Sequence, residues 1–113
     1  MKLEAILLHS ERFVELADFY RRAMDLPEPT AYGESHVGFP ALSPYLGFDN
    51  DSYGGISIWL KVDNIDAAMS KFVSLGATEL TPPNDQESPG EVIARLRDPA
   101  GNVLGLIADA PAD

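Results

Sequence analysis

The chain contains no cysteine, which excludes disulfides, thiolate nucleophiles and cysteine metal ligands together and leaves its redox compartment open. Basic residues are scarce: eight Lys and Arg stand against 18 Asp and Glu, a formal net charge of −10. Surfaces that bind nucleic acid or anionic membranes need clustered lysine and arginine to neutralise phosphates, so neither partner is expected. No stretch approaches the ~20 apolar residues of a membrane span. The first nine residues, interrupted by Lys2 and Glu4, do not make a signal peptide, and the cytoplasm is the expected location. Nine glycines, nine prolines and 45% hydrophobic residues in 113 describe one globular domain over residues 1–113, with room for a single core.

What is present reads as one programme run twice. Leu3 to Leu8 forms a buried strand, then Ser10 is placed to cap a helix whose apolar face is Phe13, Leu16, Ala17, Tyr20 and Met24. Glycines and prolines break the following text into three short strands near 30–34, 36–39 and 45–49. After the linker 51–55 a strand over 56–62 precedes a helix capped by Asn64, with Ile65, Ala68, Met69 and Phe72 on one face and a close at Gly76. The two helical faces correspond at one constant offset, Phe13 with Ile65 through Tyr20 with Phe72. Tyr45-Leu46-Gly47-Phe48 likewise matches Val103-Leu104-Gly105-Leu106, the extra residues falling in the turn-rich stretch 82–90. The fold class is therefore α+β, two tandem βαβββ units over 1–50 and 56–109, neither long enough to bury both sides of its own sheet.

Leu96-Arg97-Asp98-Pro99-Ala100-Gly101-Asn102 reads as a tight hairpin between the last two strands, with Asp98 bonding its own turn, Pro99 presetting φ and Gly101 free to take positive φ. This Asp-Pro-x-Gly-Asn hairpin before one apolar strand, with the duplication, resembles the glyoxalase/bleomycin-resistance/dioxygenase families, the vicinal oxygen chelate superfamily. The resemblance covers nearly the whole chain. It implies a curved mixed sheet around a cleft, with helices on the outer face.

Metal-dependent members of that superfamily place ligands on the first and fourth strand of each unit. The resemblance puts those positions at Ala5, Gly47, Ser57 and Gly105, none of them a usual metal ligand. No metal and no other cofactor is expected, and four small residues imply a roomy cleft. His9 and His36, near strand ends, leave a displaced metal site as an alternative, although a lone histidine there is more often a surface or turn residue.

Strand parity assigns the remaining cleft residues, because alternate side chains face opposite ways. Ala5 brings Leu3, Leu7 and, at the rim, His9; Ser57 brings Trp59 and Lys61, with Ile58, Leu60 and Val62 turned toward the helices; Gly47 brings Tyr45 and Asp49. Arg95 is the charge expected on the strand before the hairpin. Trp59 offers a flat face for stacking and Arg95 a fork for a carboxylate or phosphate, so the two are expected on opposite parts of a ligand site. No general base, nucleophilic triad or phosphate loop stands out, and no catalytic residue is assigned. The metal-free bleomycin-resistance group, which sequesters a drug unaltered, is the closest in character. The expectation is a homodimeric, metal-free protein that sequesters a planar or apolar organic ligand such as an antibiotic or metabolite. The alternatives are a glyoxalase- or dioxygenase-related enzyme and an interaction module.

Overall fold

The structure is a computed structural model and describes residues 1–51 and 55–111. Its elements run β1 (Lys2–His9), α1 (Phe13–Ala23), β2 (Thr30–Ala31), β3 (His36–Phe39), β4 (Tyr45–Asp49), β5 (Gly55–Lys61), α2 (Ile65–Ser74), β6 (Thr78–Asn84), β7 (Glu91–Arg97) and β8 (Val103–Asp109). The order β-α-β-β-β thus occurs twice. By its contacts the chain divides into two compact units, Glu4–Ser57 and the stretch from Ile58 onward together with Met1–Leu3. Most of the 51–55 linker lies outside the described residues.

In the Glu4–Ser57 unit the strands lie in the order β2-β3-β4-β1. The antiparallel pairs β2/β3 and β3/β4 need only short turns, whereas β1 and β4 are parallel and the chain between them includes α1. One sheet face packs on that helix, where Phe39, Phe48 and Ala17 are buried and Leu8, Val37 and Leu46 close the rim. Phe48 is wholly inaccessible, so its truncation to alanine forfeits about 3–5 kcal/mol.

The other unit repeats the plan in the order β5-β8-β7-β6, with β5/β8 parallel and the remaining pairs antiparallel. Ile65, Ala68 and Met69 of α2 pack on Val62, Ala94, Leu96, Leu104, Leu106 and Ala108. Pro82 and Pro83, which cannot donate to a ladder, are tolerated because β6 is the end strand, and its pairing with β7 slips on both sides of Thr81.

Several local expectations are corrected. Ser10 does not cap α1: the N-cap is Arg12, and the Ser10 hydroxyl instead accepts from the Arg12 amide at 3.0 Å, holding a turn ahead of the helix. Asn64 does cap α2, accepting from Ala67 N at 3.0 Å. The 30–34 strand shortens to Thr30–Ala31, because Gly33 turns at φ +74 and the chain reverses into β3. Ile58 is 45% exposed rather than covered by a helix, and Leu3 is 42% exposed.

The hairpin at Asp98 forms as expected. Its carboxylate accepts from the amides of Ala100 and Asn102, each at 2.9 Å, and from the Asn102 side chain, while Gly101 takes φ +91. The Asn102 side chain and these amides hold the Asp98 carboxyl below its ordinary range. A carboxylate depressed in the folded state contributes stability above its unfolded pKa and loses it as pH falls through the folded value. Asp98→Asn should therefore melt lower than the wild type at neutral pH, and the gap should close below about pH 4; thermal melts from pH 7 to pH 2 check this.

Candidate functional site

Two groups of functional side chains form, one within each unit. Strand register builds the first, because His9 pairs with Asp49 across β1/β4 while His36 pairs with the same Asp49 across β3/β4. Directly paired residues share a face, so both imidazoles stand beside one carboxylate. His36 Nδ1 bonds Asp49 Oδ1, and His9 Nδ1 lies 4.0 Å from Asp49 Oδ2. His9 Nδ1 is also 2.8 Å from Asp51 Oδ2, and its Nε2 is 2.6 Å from the Ser57 hydroxyl. A carboxylate only accepts, so Nδ1–H donates to Asp51, and in that tautomer Nε2 accepts from the Ser57 hydroxyl. His36 repeats the arrangement with its Nε2 at 2.5 Å from the Tyr45 hydroxyl.

Two hydroxyl-imidazole-carboxylate chains result, Ser57–His9–Asp51 and Tyr45–His36–Asp49. His9 and Ser57 are buried, whereas His36, Tyr45, Asp49 and Asp51 are partly exposed. Burial, with smaller contributions from Tyr32 and Asp49, raises the Tyr45 phenol well above its ordinary pKa and keeps it a proton donor. The view of each histidine as an isolated surface or turn residue is thereby corrected. Their convergence depends on the strand order β3-β4-β1, a non-local pairing that no local pattern announces. Ligand atoms of His9, Asp49 and Asp51 lie within 4.8 Å of one another, a grouping that a divalent cation could use.

In the other unit, register places Trp59, Gly105, Arg95 and Thr81 in one row across β5, β8, β7 and β6. The Trp59 ring lies so close over Gly105 that a Cβ there would overlap it. Arg95 Cζ stands 5.2 Å from the Trp59 ring centroid, a cation-π approach. Arg95 also donates to both carboxylate oxygens of Glu87, at 2.7 and 2.8 Å, and holds the Glu87 carboxyl below its ordinary range. Trp59 and Arg95 are thus stacked on one another, not set on opposite sides of an opening. Trp59 is 4% exposed.

The positions expected to hold a family metal do not fit one. Ala5, Gly47 and Gly105 carry no ligand atom, and the Ser57 hydroxyl is engaged by His9. The room expected beside the glycines is filled: a Cβ on Gly47 would meet His36 Cε1 and Leu7 Cδ2 at 2.6 Å and Tyr45 Cε1 at 2.7 Å. Leu7, His36 and Tyr45 therefore share one face, as parity required for Leu7 and Tyr45. Gly38, whose Cβ would overlap the Tyr45 ring, belongs to the same close approach and was missed, as were Asp51 and Glu87. An apolar cavity of about 100 Å³ in the same unit as the histidines is lined by Leu26, Phe39, Pro40 and Leu42. It has room for a few methylenes only, and no residue of either chain lines it.

The doubled βαβββ plan with these inner faces defines a glyoxalase-type fold. A family model described as "Glyoxalase-like domain" matches residues 5–107, and the chain belongs to that family. No curated protein sequence matches significantly. Among solved structures, a Mn(II)-bound glyoxalase from Novosphingobium aromaticivorans superposes with TM-score 0.70 at 18% identity, over 99% of this chain and 41% of that one. A methylmalonyl-CoA epimerase from Streptomyces coelicolor gives TM-score 0.66 at 16% identity, over 98% and 99%. A protein described as an NAD-dependent benzaldehyde dehydrogenase from Legionella pneumophila gives 0.70 at 14%, over 94% and 98%. At such identities the likeness is one of fold. No helix among the described residues is long and apolar enough to cross a membrane.

Gly105→Ala should cost about 1–3 kcal/mol, because the indole must leave its seat. The same change in a Trp59→Leu background should cost less, and chemical denaturation of the four proteins measures the coupling.

Proposed function

We propose that this chain is a metal-free member of the glyoxalase-like family that holds a planar organic ligand without altering it. The observation that supports this reading is that rings fill the space at two positions where the family resemblance suggests metal ligands: Trp59 at Gly105, and Tyr45 with His36 at Gly47. His36 and Tyr45, both partly exposed, are stacked with ring centroids 5.7 Å apart, and Tyr32, 50% exposed, extends this surface through ring contacts with both. Asp49, bonded to His36, adds a fixed polar group beside these rings, the kind of orienting contact a small-molecule site uses. Ala5, Leu7, His9 and Ser57 complete the ligand-facing set.

The test is a thermal-shift screen of planar antibiotics, aromatic amides and aromatic acids in the presence of chelator. Hits should bind undiminished by chelator, and Tyr45→Ala should weaken those that stack on it by roughly 1–3 kcal/mol. Binding that needs added metal, or turnover of a hit, removes the reading.

A second reading, an enzyme with a displaced metal, is favoured by the grouping of His9, Asp49 and Asp51. Equilibrium dialysis against Zn(II) and Mn(II) decides it: a stoichiometric ion lost in Asp51→Asn supports that enzyme, and no retained ion removes it.

We also propose a homodimer of this chain, since Leu3, Ile56 and Ile58 leave large apolar side chains exposed that a second copy would cover. Sedimentation at ~10 μM, above the range where standard-size specific interfaces associate, should show a dimer. A monomer there contradicts it.

A further inference from the structure

We infer that Arg95 is the seat for a ligand carboxylate, and that Glu87 occupies this seat as an internal stand-in until such a ligand displaces it. The inference rests on the metal-free binding reading and names its ligand class, a planar aromatic carboxylic acid. Three observations within one unit carry it. The Arg95–Glu87 pair is bidentate, with Nη1 on Oε2 at 2.7 Å and Nη2 on Oε1 at 2.8 Å, the fork geometry by which arginine recognises any carboxylate. The two partners are unequally placed: the Arg95 side chain is 14% exposed on a strand and rests against Trp59, whereas Glu87 is 38% exposed in the turn-rich segment between β6 and β7. The fixed partner is the arginine, and the one able to leave is the acid.

The third observation is independent of the ion pair. Thr81 lies directly across the ladder from Arg95, and its buried Oγ1 has no hydrogen-bond partner. Burying a hydroxyl without a partner is unfavourable, so an orphan beside a carboxylate seat marks a donor that a ligand oxygen would satisfy. Glu87 already spends one oxygen on each Arg95 nitrogen and receives a further bond from Asn84 Nδ2 at 3.1 Å. Exchange of Glu87 for a ligand carboxylate keeps the charge beside Arg95 unchanged. The net charge of −10 therefore bears on the approach of the acid more than on the seat itself.

A seat closed in most molecules lowers apparent affinity by the fraction that is open. Opening it should raise affinity without adding any contact. Trp59 is the single tryptophan of the chain, so its fluorescence reports on this row of residues. The experiment titrates benzoate and the neutral isostere benzamide into the full chain and its variants. Glu87→Gln should bind benzoate about tenfold more tightly than the wild type. Adding Arg95→Lys, which keeps the charge but loses the fork, should cancel most of that gain, and adding Thr81→Val should cancel part of it. Circular dichroism of each variant confirms that it is folded, and Arg95→Gln serves if Arg95→Lys is not. The inference is overturned if Glu87→Gln gains no affinity for benzoate, if the gain persists without the Arg95 fork, or if benzamide gains equally. Benzoate bound equally by the wild type and Glu87→Gln overturns it while leaving metal-free binding intact; a benzoate gain that requires added metal would remove the broader reading instead.

Discussion

Both units depend on one physical arrangement, a glycine whose missing side chain lets an aromatic ring approach the strand closely. Gly105 admits the Trp59 indole, and Gly47 with Gly38 admits the Tyr45 ring together with His36. No side chain larger than hydrogen is compatible with these approaches. At Gly47 and Gly105, where the family resemblance leads one to look for metal ligands, the space is taken by neighbouring rings.

Polar groups on the inner faces follow from that packing. A histidine as buried as His9 is tolerable only with both ring nitrogens satisfied, and Asp51 and Ser57 supply the two partners. His36 is satisfied in the same pattern by Asp49 and Tyr45. In the other unit Arg95 draws on the Trp59 face and on Glu87. One unit thus presents hydrogen-bond chains ending in hydroxyls, the other a cation held between a ring and a carboxylate. The same duplicated backbone carries two different chemistries.

Much of the fold was legible because its signals are local. The helical faces of α1 and α2, the Asn64 cap, the Asp98 hairpin and the repeat between the two halves all depend on residues close in sequence, and each appears in the structure. Strand parity assigned Leu7, Tyr45, Gly47, Trp59, Gly105 and Arg95 to one cleft; within their own units, register does bring Leu7 beside Gly47 and Trp59 and Arg95 beside Gly105. The misses are non-local. His9 and His36 meet Asp49 only because β4 lies between β3 and β1, and Arg95 takes Glu87 only through the path of the 85–90 segment. The glycines were read as open volume because sequence shows an absent side chain and not the neighbouring ring that fills its place. Ser10 failed as a cap for a smaller reason, a turn that delays the helix to Phe13.

The central claim is that aromatic rings stand where metal chemistry would require ligands. Anomalous diffraction from crystals grown with Mn(II) tests it most directly. The account predicts no anomalous peak beside Gly47, Ser57 or Gly105, with the Trp59 indole still against Gly105. A manganese peak at those residues, with the indole swung out of its seat, would contradict it.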